Sequence, residues 1–470
     1  MSIRITALYI FVIGLSIYAW KDWFKSLCGL ILLMAVIDHP DMPKSILGIQ
    51  GLNLWNVLFV NIAIAWASRR RFEGLKWDMP RPIVVLLLMY MGVILIGILR
   101  AAVDRSNIEW YSLKMLISEE LINTIKWILP GILLFDGCRS RRQAVMALFC
   151  LLTLFFLVAV QVVRCMPPEA VLSDSGLIDR ARIKLNDLVG YSASDISVML
   201  GGACWGIVAA LSLIRRKYYK IAVLVGVGVV TFGQALTGGR IGYAAWGATG
   251  LLMCLIKWRK YLILAPVVVI LLPVIFPGAA QRMLMGFGQT DVAGQATVDE
   301  EAVTSGRTLI WPYVINKIGQ SPIVGYGRLA MNRTGLVDTI ETEHPGTGSA
   351  HPHNMYLETI LDNGMLGSIP IFVFWAAVVL YAARLFRSNN RLCSAVGGLS
   401  LALTLASLLS GIGGQHFYPQ EHTLGIWAAF FLSLRVYIEE KRALIGEIDA
   451  ETYWNSQLCR EQAAVASVYA

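Results

Sequence analysis

Charge is scarce in this chain. Asp, Glu, Lys and Arg make up 15% of its 470 residues, against roughly 25% in a soluble domain. With 56% hydrophobic residues, that scarcity excludes an ordinary water-soluble globule. The eight cysteines (Cys28, Cys138, Cys150, Cys165, Cys204, Cys254, Cys393 and Cys459) form no CxxC pair and show no zinc-type spacing. They read as small apolar residues within or beside apolar runs. No period-2 alternation marks an outer-membrane barrel. The first apolar run, Ile5 to Trp20, has neither a basic leader nor a small-residue cleavage site, so it reads as a permanent span rather than a cleaved signal. No internal repeat, heptad pattern or inverted symmetry is visible. The net charge of +9 does not point to nucleic acid, because the basic residues sit in short loops where membrane topology explains them.

What the chain has is long apolar runs. They fall at about 5–20, 25–37, 52–68, 82–102, 117–135, 143–163, 196–214, 219–236, 240–256, 260–277, 364–386, 392–412 and 424–438. About 18 or more apolar residues in a row suffice to cross a ~30 Å hydrocarbon core as a helix. The expectation is an all-α, polytopic integral membrane protein with twelve or thirteen transmembrane helices. Basic loops recur every second span: Arg69, Arg70, Arg71, Lys76 and Arg81; Arg139, Arg141 and Arg142; Arg215, Arg216, Lys217 and Lys220; Lys257, Arg259 and Lys260; Arg384, Arg387 and Arg391; then Arg435, Lys441 and Arg442. The positive-inside rule puts that face in the cytoplasm. The chain divides into N-terminal helices (1–163), a second helical set with an outer loop at about 164–195 (164–277), a large outer, periplasmic loop (278–366), C-terminal helices (367–440) and a cytoplasmic tail (441–470). All six histidines, His39, His344, His351, His353, His416 and His422, fall on or near the outer face.

Several residues there could carry chemistry. Arg240, in Thr237-Gly238-Gly239-Arg240, sits at the outer mouth between two adjacent spans. Its planar fork suits a phosphate and the glycines let backbone approach a ligand; a snorkelling arginine in a tight turn is the competing reading. Arg180, Arg182 and Lys184 put three cations within five residues of the 164–195 loop, either a polyanion site or a solvated basic loop. His351-Pro352-His353-Asn354-Met355-Tyr356-Leu357-Glu358 closes the large loop. A short helix from His353 would bring it near Glu358, and a neutral imidazole accepts a hydroxyl proton well near pH 7. A metal alternative would join His351 and His353 with Glu341, Glu343 and His344. Gly306-Arg307 with Trp311, then Ser321-Pro322-Ile323-Val324-Gly325-Tyr326-Gly327, reads as an amphipathic helix and a glycine turn. Lys126, inside the fifth run, is a candidate because intramembrane charges are usually functional; Glu119 or Glu120 could pair with it.

In this order the pieces resemble the O-antigen ligase and polymerase superfamily of bacterial polysaccharide membrane proteins. The likeness rests on His353-Asn354 through Gly364-Met365-Leu366-Gly367, on Gly306-Arg307, on Ser321–Gly327 and on Gly239-Arg240, and covers about 180–390. The resemblance implies a helical, GT-C-like glycosyltransferase of the inner membrane that needs no metal or cofactor. Its donor would be a glycan on undecaprenyl pyrophosphate, its acceptor a glycan or lipid, and its active site would face the periplasm. His353 would be the catalytic histidine, with Glu358 as the second catalytic residue. Arg240 and Arg182 would hold the pyrophosphate, with Arg180 able to take the second role. Arg307, His351, Asn354 and Lys126 complete the expected substrate-binding set. Where the family often has an acid before the last glycine, this chain has Asn363, so Asp362 or Glu358 must serve. The reading from another class is a flippase or transporter of polyanionic lipids. It would place paired charges at the midplane, whereas these candidates cluster at the outer face.

Overall fold

The computed structural model describes residues 3–445, except 38, 41, 47, 75–76, 173–174, 286, 288, 291–295, 298–303, 305 and 415–416. His416, Lys76, Cys459 and the expected tail from 446 onward lie outside the described residues.

Every one of the thirteen apolar runs is helical. They become α1 (Ile3–Tyr18), α2 (Trp23–Leu32), α3 (Leu54–Phe72), α4 (Arg81–Val103), α5 (Asn123–Gly137) and α6 (Arg141–Cys165). After α7 (Ser175–Val189) come α8 (Ala193–Ala210), α9 (Lys217–Leu236), α10 (Arg240–Ile256) and α11 (Ala265–Ile275). The large loop holds α12 (Pro277–Met283), α13 (Arg307–Gln320) and α14 (Leu336–Glu343), and the chain ends in α15 (Met355–Phe386), α16 (Arg391–Ser410) and α17 (Leu424–Ile445). Among the described residues, β structure is confined to two antiparallel ladders of two-residue strands.

Polar residues placed just before the apolar runs set where the helices begin. Ser140, Ser192, Asn354 and Asn390 each accept a hydrogen bond from a backbone N–H of the following turn, which satisfies donors that a helix start leaves open.

Against the expected twelve or thirteen spans, six helices are long and apolar enough to cross a membrane, or seven if the pair Arg259–Ile275 and Pro277–Met283, bent by 107°, is counted as one. The others fall short for local reasons. Ile3–Tyr18, Trp23–Val36 and Arg240–Ile256 are shorter, α3 ends in Arg69, Arg70 and Arg71, and α17 carries Arg435, Glu439, Glu440 and Lys441.

The bundle is centred on α8 and α16, the two most buried spans. Their glycines allow this: a Cβ on Gly202 would lie 2.9 Å from the Leu403 Cα, and one on Gly206 2.4 Å from a Leu399 methyl. Small residues let membrane helices close to backbone contact, where packing replaces the hydrophobic drive.

The basic loops do share one end of the bundle. Asp78 binds Arg435 at 2.6 Å, Arg442 at 2.8 Å and Arg139 at 3.1 Å. Asp136 binds Arg139 and Arg70. Glu440 of α17 accepts from Ser388, and Lys257 bonds the Phe386 and Ser388 carbonyls at the end of α15. The direction of α9, α15 and α16 puts Arg240, the start of α15 and the end of α16 at the opposite end.

Candidate functional site

At that opposite end the α9–α10 turn is ringed by arginines. Gly238 has a φ of +66°, and a Cβ there would strike Ile178 while lying 3.1 Å from Arg282 Nε and 3.2 Å from Arg182 Cδ. Arg282, buried on α12, donates to the Gly238 carbonyl at 2.6 Å. Arg182, on α7, donates to Ser194 Oγ at 3.1 Å. Arg240 is half-buried and reaches the Met285 carbonyl at 3.5 Å. The segment 164–195 therefore delivers Arg182 to the same turn as Arg240; the Arg180 side chain lies outside the described residues.

Arg307 joins this group from the large loop. A Cβ on Gly413 would lie 2.8 Å from Arg307 Nη1 and 3.3 Å from Ile241, the residue after Arg240. Burial, and then the charge of Arg240, hold the Arg307 guanidinium below its ordinary pKa. Guanidiniums that repel one another favour an anion as neighbour. Arg182, Arg240, Arg282 and Arg307 come from four different helices, and their planar donors suit phosphate oxygens.

The histidine loop sits beside Arg307. Trp311, one helical turn beyond Arg307, donates its indole N–H to the Pro352 carbonyl at 3.0 Å. Pro352 lies between His351 and His353. The expected helix does not begin at His353. Asn354 caps it instead, accepting from the Tyr356 and Leu357 amides, so His353 precedes the helix with a φ of +50°. A non-glycine residue held in that region is uncommon and is a recognised feature of functional sites. His353 Nε2 lies 3.2 Å from Ser349 Oγ. The buried Asn354 thus has a capping role.

Glu358 meets Arg328 and His351. It is 3% exposed, lying 3.0 Å from Arg328 and 3.4 Å from His351 Nδ1. Arg328 is itself buried and also binds Glu120 at 2.7 Å and Asp362 at 3.3 Å, with its guanidinium 3.9 Å above the Tyr418 ring. Tyr418 donates to Asp362 at 2.9 Å. Asn363 donates to Tyr418 and to the Thr359 carbonyl.

This buried cluster closes on a helix break. Gly364 has φ +60° and ψ −175° inside α15, and the Ser321–Gly327 segment threads the gap. Tyr326 N–H donates to the Leu361 carbonyl, Gly327 N–H to Asp362, Met365 N–H to Pro322 and Leu366 N–H to Ile323. Arg100 binds the Val324 and Gly325 carbonyls from α4. The two glycine motifs noted in the sequence are thus one structural unit.

Other candidates fall elsewhere. Lys126 lies 3.9 Å over the Trp127 ring and 5.5 Å from that of Trp55. Of its expected partners, Glu120 binds Arg328 and Glu119 accepts from Asn123. The residues of the metal alternative spread apart. Glu341 accepts from the Gly346 and Gly348 amides, and both Glu343 and His344 meet Tyr313. Among the described residues, no three His, Cys, Asp or Glu side chains converge as metal ligands. Sequence reasoning missed Arg282 and Arg328. Arg328 directly follows the Gly325-Tyr326-Gly327 turn, a usable signal; Arg282 has none.

Fold and site together define a multi-pass, all-helical membrane protein with a polyanion-suited mouth at one end of its bundle. Residues 225–373 match the family model described as O-Antigen ligase, so this segment of the chain is similar to the O-antigen ligase family. The matched segment contains Arg240, Arg282, Arg307, Arg328, His353, Glu358 and Gly364, while Arg182, Glu120 and Tyr418 come from outside it. None of the curated proteins matches the chain.

Proposed function

We propose that the chain is an inverting, metal-independent glycosyltransferase that moves a glycan from undecaprenyl pyrophosphate to an acceptor hydroxyl, at the periplasmic face of the bacterial inner membrane. The observation that carries this reading is the meeting of four arginines from four helices beside the His353 loop. In the reaction the acceptor oxygen attacks the anomeric carbon and His353 takes its proton. The bond from that carbon to the pyrophosphate oxygen breaks, and its electron pair leaves with the lipid pyrophosphate. Arg182, Arg240, Arg282 and Arg307 neutralise the charge that grows there, in the way fixed donors stabilise a leaving anion. Attack from the side opposite the leaving group inverts the anomeric centre.

Glu358 acts through His351 and Arg328 as a positioning residue, since its burial keeps it from an acceptor. Asn354 holds the start of α15, and Lys126 contributes from the membrane helices. We place polymerisation of repeat units ahead of ligation to a separate lipid or protein acceptor.

The test is incubation of the purified protein with lipid-linked repeat units and a chelator, beside His353→Ala. A ladder of longer glycans from the wild type alone supports a polymerase that uses His353. Transfer only after a second acceptor is added makes it a ligase. An active His353→Ala protein, or no transfer under either condition, overturns the assignment.

A further inference from the structure

At the end of the bundle opposite the arginine site, a cavity of about 510 Å³ is lined by Ser212, Ile214, Arg215, Lys220 and Arg391. It lies where α8 ends and where α9 and α16 begin; Ser212 bridges the elements, donating to the Ala209 carbonyl and contacting that of Arg391. Three of the five lining side chains are cations and none is acidic. Of the other cations at this end, Arg139, Arg435 and Arg442 are matched to Asp78, and Lys257 to backbone carbonyls and Ser394.

The depth of the cavity is set by its neighbours. Tyr218 and Tyr219, between Arg215 and Lys220, are exposed, as are Ile221, Leu224 and Val225 directly along α9. Exposed tyrosines followed by exposed aliphatic residues mark the passage from headgroup level to hydrocarbon. The three cations therefore sit at headgroup depth with an apolar, lipid-facing wall beneath them.

We propose that this cavity binds the phosphate of an anionic phospholipid headgroup, with the acyl chains lying along the exposed face of α9. A net positive cavity at this depth prefers a lipid of net negative charge over a zwitterionic one, because no acidic lining residue is present to meet a headgroup ammonium. The site is separate from the Arg240 mouth and does not depend on the reaction assigned to it.

The test uses the full chain purified in a neutral detergent, with bound lipid counted by native mass spectrometry and the melting midpoint read in parallel. Phosphatidylglycerol, phosphatidylcholine and inorganic phosphate are added separately. Phosphatidylglycerol should be retained and raise the midpoint. Each of Arg215→Gln, Lys220→Gln and Arg391→Gln should cut retention about fivefold. Arg259→Gln, a basic residue of the same end outside the cavity lining, should leave retention unchanged. The variants' midpoints without lipid report whether they fold, and a single variant that folds is enough to decide. Equal retention of phosphatidylcholine, unchanged phosphatidylglycerol retention in the folded variants, or the same protection from inorganic phosphate alone would overturn the proposal.

Discussion

Gly325 and Gly364 pack backbone against backbone: a Cβ on Gly325 would lie 2.4 Å from the amide nitrogen of Gly364, and both residues have a φ of +60°. A Cβ on Gly364 would in turn lie 2.3 Å from the Ile323 carbonyl carbon. Neither residue can carry a side chain without separating the strap from the broken helix. Gly364→Ala should lower the detergent melting midpoint and abolish glycan transfer, the positive φ alone costing about 1–3 kcal/mol. Gly346→Ala, at a positive φ with open space around it, should keep transfer and lose only stability. Equal loss of transfer in both would show that the packing at the break is not what matters.

Arg328 faces three carboxylates, Glu120, Glu358 and Asp362. Replacing it with Met strands them in a buried site, and removing one partner of a buried ion pair costs about 3–5 kcal/mol. Arg328→Met should therefore melt well below the wild type, with Arg328→Lys intermediate because an ammonium cannot reproduce the planar fork. Thermal unfolding monitored by circular dichroism reads both.

His353→Ala and Arg240→Ala should insert and fold normally but lose transfer, His353→Ala by about 10²–10⁴-fold if the imidazole is the general base. Ser349→Ala, which removes the hydroxyl 3.2 Å from His353 Nε2, should cost less than either. Chain-length analysis of lipid-linked products checks all three.

Asp78 supplies an acid-sensitive contribution to stability. Burial raises its pKa, but hydrogen bonding and attraction to Arg435, with Arg139 and Arg442 adding to them, outweigh burial and hold it below the ordinary range. A carboxyl depressed on folding contributes stability that is full above its unfolded pKa of about 3.9 and is lost as pH falls toward the folded value. Melting midpoints should show this loss below pH 4 in wild type, and Asp78→Asn should be destabilised already at neutral pH, where it leaves Arg435, at 0% exposure, short of a counter-charge.

Much of the protein was legible in the sequence. Apolar runs fixed which segments are helical, because backbone groups in hydrocarbon must bond within their own segment. The alternation of basic loops fixed which loops share an end, but the helix expected from His353 starts one residue later, at the Asn354 cap, and leaves His353 outside it. The number of independent spans was not legible, since it depends on charges such as Arg435 that the folded bundle neutralises. Nor were the partners of Arg182, Arg282, Arg307 and Arg328. Each of these contacts joins residues far apart in the chain, and only the packing of helices decides which carboxylate, carbonyl or second guanidinium an arginine meets. Glu358 shows the difference most plainly. Its spacing suggested His353 as a neighbour, and the packing adds the buried Arg328, whose guanidinium would be costly to leave unpaired.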